Sequence, residues 1–179
     1  MRKTNQPLRI NNTRAPGRND FFPGVLAAMM VLTASQFVSA QKTATAKESA
    51  PDVPDAITVP AGLQPVLFVH AVGSQIYTCK AGADGKFAWT LKAPDADLKD
   101  RNDKVIGKHS AGPAWKLNDG SEVTGKMAAQ VASLDEDSIP WLLVNVVSHS
   151  GKGALSDVTT IQRVRTHGGM PPGEGCDES

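Results

Sequence analysis

Beyond residue 56 the chain alternates apolar and polar positions in short runs, each closed by Gly, Pro, Asn or Asp. Val123, Gly125 and Met127 alternate with Glu122, Thr124 and Lys126, a period of two that marks a half-buried strand. Phe87, Trp89 and Leu91 share one face of another run. In Leu155–Thr166, Val158, Thr160, Gln162 and Val164 alternate with Thr159, Ile161, Arg163 and Arg165. Two runs are nearly all apolar: PVLFVHA (65–71) and WLLVNVV (141–147). The first is apolar and β-branched enough for a central strand, and the length and β-branched residues of the second predict a strand buried on both faces. Asn145, inside the second, is expected to need a buried hydrogen-bond partner, and His70, inside the first, reads as a buried, hydrogen-bonded histidine. Gly73-Ser74 is expected to turn the chain into Gln75–Lys80, with Ile76 and Thr78 on one face and Gln75, Tyr77 and Cys79 on the other. Ala83-Asp84-Gly85 and Asn118-Asp119-Gly120 carry hairpin-turn chemistry. Ala93–Leu98 reads as an acidic loop or a single helical turn. These elements predict an all-β fold: one antiparallel β-sandwich or barrel-like domain with long loops.

The densest stretch is Lys108–Ser121, KHSAGPAWKLNDGS. Gly112-Pro113 sets a sharp corner, because proline holds φ near −65° and glycine tolerates what other residues avoid. Ala114–Leu117 follows as a short strand, so Trp115 sits on a hairpin arm with His109 just before the corner. Two roles compete for this pair. Trp115 is a core or cap residue of the sheet with His109 at its edge, or the two line a ligand groove.

The amino-terminal part has a different pattern. Arg2, Lys3, Arg9, Arg14 and Arg18 precede GVLAAMMVLTASQFV (24–38), and small residues surround Ala40. A basic segment, a short apolar core and a small-residue cleavage site predict a signal peptide over 1–40. The apolar run falls short of the about 20 residues of a membrane span, so no span is expected after cleavage. Residues 41–55, rich in Ala, Thr, Lys and Pro, read as a flexible linker, and 56–179 as the β-rich domain. Beyond residue 40 the chain holds 14 basic and 17 acidic residues. That balance gives no electrostatic basis for nucleic-acid binding.

Cys79 and Cys176 both lie in the portion expected to be exported, and an even count outside a reducing compartment predicts one disulfide. The aspartates of 93–98 lack the glycine and closing glutamate of a calcium loop. Ser150–Gly153 lacks the spacing of a phosphate loop, and neither G-x-S-x-G nor H-E-x-x-H occurs. No metal site and no cofactor are called for.

The blocks HAVGSQIYTCKA, FAWTLKAPDADL, VIGKHSAGPAWKLNDGSEVTGK, IPWLLVNVVSHSGKGALSDVTTIQRVRTHGG and PPGEGCD resemble the secreted family known as domain of unknown function 3455, from Val59 to Asp177. The resemblance implies an exported domain and a cysteine pair at Cys79 and Cys176, with no reaction, cofactor or ligand. It also implies a further aromatic-rich strand beyond the Gly-Cys-Asp block, where this chain stops at Ser179. If that strand completes a sheet, its lack leaves an edge open to a neighbouring chain.

Three functions remain for test. The first is a secreted or cell-surface, non-catalytic binding or structural module. His109, Trp115, Asp119 and Tyr77 are its candidate binding residues, and a cell-wall glycan stacked on tryptophan, or another protein chain, its candidate partner. The second is an extracytoplasmic enzyme with a site around His109 and Trp115, His109 acting with Asp119 or Ser121. The third is a fibre or adhesion subunit that completes its sheet with a neighbour's strand.

Overall fold

A computed structural model describes residues 2–12 and 49–177. Among them are nine strands, no α-helix and one 3-10 turn at Asp55–Ile57. The strands are β1 (Arg2–Asn12), β2 (Gln64–Ala81), β3 (Phe87–Lys99), β4 (Val105–Ser110), β5 (Ala114–Leu117), β6 (Glu122–Val131), β7 (Trp141–Ser150), β8 (Val158–Arg163) and the short β9 (His167–Gly168). From β2 to β8 each strand pairs antiparallel with the next, an up-and-down meander in one sheet. The all-β antiparallel fold is therefore as expected from the alternation.

The segment Arg2–Asn12, which the sequence assigns to the basic leader, is β1. It pairs antiparallel with β2 along its whole length and with β8 through Leu8–Asn12. The two outer strands of the meander thus share one neighbour, and the edge expected to stand open is occupied. The apolar run 24–38, the proposed cleavage site and most of the linker lie outside the described residues.

The strands put their apolar alternation on a common inner face. Val69, Ala71, Ala96, Leu98, Trp115, Leu117, Val123, Val144, Leu155, Val158 and Ile161 form one buried cluster. A smaller cluster of Ile57, Trp141 and Val164 lies where the 3-10 turn packs on the sheet, with Val53, Ala129, Val131 and Leu143 against it. Gln162 belongs to that second side: its buried amide donates to the Ile57 carbonyl at 2.8 Å. Outward positions of adjacent strands carry ion pairs instead, Lys108–Asp97 at 2.7 Å and Lys116–Glu122 at 3.3 Å.

Four local expectations differ from the structure. Gly73-Ser74 is not a turn but mid-strand in β2; Gly73 is there because a Cβ would stand 2.1 Å from the Asp95 carbonyl oxygen of β3. Ala93–Leu98 is not a loop but the second half of β3. Ala96 and Leu98 are buried while Asp95 faces solvent, so the polar aspartates disguise a period of two. Asn145 is exposed and needs no buried partner, since it alternates onto the face opposite Val144 and Val146, which pack on the core. His70 is half-buried, its ring edge-on to Phe68 at 5.3 Å.

Candidate functional site

His109 and Trp115 are directly opposite residues of β4 and β5. Side chains so paired share a face, and here the rings stack, with centroids 4.5 Å apart and planes within 9°. Both are buried, at 5% and 2% exposure. Their close fit depends on Gly125 of β6, where a Cβ would come within 2.4 Å of Val144 Cγ1 and 3.1 Å of the Trp115 ring. His109 Nδ1 lies 2.9 Å from the Ala114 carbonyl oxygen. A carbonyl only accepts, so Nδ1 carries the proton and Nε2 keeps a lone pair. Burial lowers the His109 pKa to about 4, against the smaller upward pull of that hydrogen bond. The ring is neutral at neutral pH.

Stacked on each other, the two rings form part of the wall of a cavity of about 320 Å³. Leu91, Pro94, Met127, Leu142 and Val144 make the rest of it largely apolar, and Gln75, Lys92 and Arg163 supply its polar groups. Trp115 is thus both core and lining: it belongs to the main cluster and borders the cavity. The cis peptide at Gly112-Pro113 sits on the rim, between Ala111 and Ala114.

Arg163 is the lining residue that its sequence context hides. Its Nε and Nη2 both donate to the Pro140 carbonyl oxygen, at 3.1 and 2.7 Å. Burial lowers its pKa to about 10, which leaves it a cation at neutral pH. The signal was present in the alternation, since Arg163 falls on the same face as Ile161, which is buried in the core. A terminal arginine two residues beyond an isoleucine reads as solvent-facing until the neighbouring strands are in place.

The other candidates lie elsewhere. Tyr77, half-buried on β2, donates its hydroxyl to the Gly169 carbonyl oxygen at 2.8 Å. Burial raises its pKa, partly offset by the nearby Arg163 charge. Asp119 is in the β5–β6 turn. One carboxylate oxygen accepts from Ser121 Oγ at 2.6 Å and from the Ser121 amide at 2.9 Å, and the other accepts from the Ala154 amide at 2.7 Å. Ser121 Oγ accepts in turn from the Leu155 amide at 3.2 Å. These contacts tie the turn to the glycine loop before β8. Asp119 borders a second, shallower cavity with Leu67, Ile106 and Leu117, and that lining shares no residue with the cavity at His109. The structure therefore brings His109 and Trp115 together but does not bring Asp119 or Ser121 to them.

Cys79 and Cys176 form a disulfide, with Cα atoms 5.3 Å apart and a sequence separation of 97. Trp89 Nε1 donates to the Glu174 carbonyl oxygen at 3.2 Å. With the Tyr77 hydroxyl, these contacts fasten the irregular tail to β2 and β3. Among the described residues no group of three His, Cys, Asp or Glu side chains is placed to hold a metal ion. Among the same residues no helix is long and apolar enough to cross a membrane.

No curated protein and no solved structure matches this chain. Residues 60–179 match the family described as "Protein of unknown function (DUF3455)", two thirds of the sequence and all of the meander after the first residues of the domain. The chain belongs to the DUF3455 family.

Proposed function

We propose that this is an exported, non-catalytic binding domain that takes a compact, largely apolar small molecule into the cavity walled by His109 and Trp115. The supporting observation is the cavity itself: about 320 Å³, lined by leucine, proline, methionine and tryptophan, with few polar groups among them. That balance is usual for small-molecule pockets, in which apolar walls supply affinity and scattered polar groups fix orientation. The disulfide and the apolar run 24–38 after a basic segment support export, while cleavage after Ala40 would take β1 out of the sheet. A neutral histidine whose Nδ1 proton is committed to a carbonyl, with no carboxylate or hydroxyl nucleophile among the described residues that line the cavity, favours binding over catalysis.

The test is calorimetric titration of the folded, disulfide-intact domain with a panel of two-ring aromatic and alicyclic molecules, beside soluble cell-wall glycan fragments. One-site binding of a panel member, abolished by Met127→Trp, is expected; Met127 is an exposed lining position where a larger ring fills the space without disturbing the core. Binding of glycan alone, or apolar binding unaffected by Met127→Trp, would overturn the reading.

A further inference from the structure

The described residues that line the cavity include two cations, Lys92 and Arg163, and no carboxylate. Arg163 is held in place without being neutralised. Its Nε and Nη2 grip the Pro140 carbonyl oxygen, while Nη1 has no acceptor among the described residues, nor does Arg163 form an ion pair with any of them. A second donor is idle at the same cavity: Trp115 Nε1 is buried and makes no hydrogen bond. Buried donors without acceptors are costly and uncommon. One buried indole donor without an acceptor, and a half-buried cation with an unoccupied edge, both on residues that line one largely apolar cavity, describe a recess that lacks an anionic acceptor. The carbonyl of Pro140 also fixes the guanidinium plane before any ligand arrives, so little ordering remains to be done on binding.

We propose that the cavity selects molecules with an apolar ring body and a terminal carboxylate, which Arg163 receives through its unoccupied edge. This rests on the binding reading above and adds the charge of the ligand to it. A planar, delocalised cation matches a carboxylate in two parallel hydrogen bonds, and the pairing is stronger in an apolar recess than in water. Lys92 is exposed at the mouth and serves attraction more than selection. Neutral His109 adds no competing positive charge, and its Nε2 lone pair disfavours a second carboxylate nearby.

The probes are 2-naphthoate and 2-naphthamide, the same rings with and without the charge, titrated near pH 7.5 into the disulfide-intact full chain. The acid is expected to bind at least tenfold more tightly than the amide. That preference should vanish in Arg163→Gln and survive in Lys92→Gln. With side-chain nitrogen labelling, the Arg163 Nε resonance should move with the acid and stay with the amide, which decides the matter in wild-type protein should Arg163→Gln not fold. Equal binding of acid and amide would overturn the carboxylate assignment and leave the cavity as a neutral apolar site. Binding of neither, together with a blank panel, would sink both readings. A preference that disappears with Lys92→Gln and persists in Arg163→Gln would move the selection to the rim and overturn the role of Arg163.

Discussion

The two ends of the sheet's inner face are finished in opposite ways. Toward Leu67, Ile106 and Leu117, the loop before β8 folds in and drops Leu155, fully buried, into the main core. Asp119 and Ser121 hold that loop by its amide groups. Gly153 makes room for the Asp119 carboxylate, which would otherwise lie about 2.3 Å from a Cβ, and its φ of 155° suits glycine. Toward Gln75, His109 and Arg163, no such plug exists among the described residues, and a cavity remains. Leu67 and Gln75 are eight residues apart on β2, roughly 26 Å of strand. One end therefore spends its polar groups on fastening a lid, and the other keeps a cation bonded only to the Pro140 carbonyl and a buried indole without an acceptor. The first end is built for stability, and the second is the one proposed above to bind.

The largest test of this contrast is the disulfide, which anchors the tail on the cavity side of β2. Closing about 100 residues of chain contributes up to about 4–5 kcal/mol in the loop-entropy model. Replacing both Cys79 and Cys176 by Ala is expected to lower the unfolding free energy by most of that amount, measured by urea unfolding. It should leave the Leu155 end unchanged in native-state hydrogen exchange. Next comes Leu155→Ala, which removes a fully buried side chain from the plug at a cost of about 2–5 kcal/mol. Ligand affinity at the far cavity should change less than threefold once the protein is folded. A loss of binding in step with stability would mean that the two ends are not separate.

Much of the plan was legible because alternation survives wherever inward residues are large: β5, β6 and β8 are where Trp115, Val123 and Ile161 place them. It was lost where inward residues are small or outward ones are strong turn formers. Ala96 between two aspartates, and Gly73 beside Ser74, looked like loop and turn because propensity reports a residue's ordinary preference, whereas close approach to β3 and burial of Leu98 decided these positions. At the site, His109 and Trp115 were found from one dense stretch. Arg163 was not, since only the pairing of β7 with β8 and the Pro140 carbonyl turn its cation toward the interior. Nor did spacing alone reveal that Asp119 serves the opposite end, for ten residues cover two strands and reverse direction.

The third test uses pH. His109 has a folded pKa of about 4 against an ordinary value of 6.5. The unfolded chain therefore binds the proton more readily, and stability falls as pH drops from about 6.5 to about 4. The shift corresponds to about 3 kcal/mol in all. His109→Phe, with the stack on Trp115 retained, should flatten the unfolding free energy across that window, read from urea melts at half-unit steps. An unchanged slope would place the acid sensitivity in another group.

The smallest effect separates the ends most cleanly. Asp119 has its pKa lowered, first by the Ser121 hydroxyl and then by the Ala154 and Ser121 amides. A depressed carboxylate stabilises the fold above its unfolded value, near 3.9, and that contribution is lost as pH falls through the lower folded value. Its window therefore begins where that of His109 ends. Asp119→Asn keeps the shape and removes the charge, so a loss of about 1–2 kcal/mol is expected at neutral pH, with the 4–6.5 slope intact and the steeper fall below pH 4 reduced. The loop should also respond locally: the Ala154 and Leu155 amides, now held by Asp119 and Ser121, should exchange faster while those of β4 do not. If the amides around His109 quickened equally, the lid and the cavity would be one cooperative unit, and the division of labour between the two ends would fail.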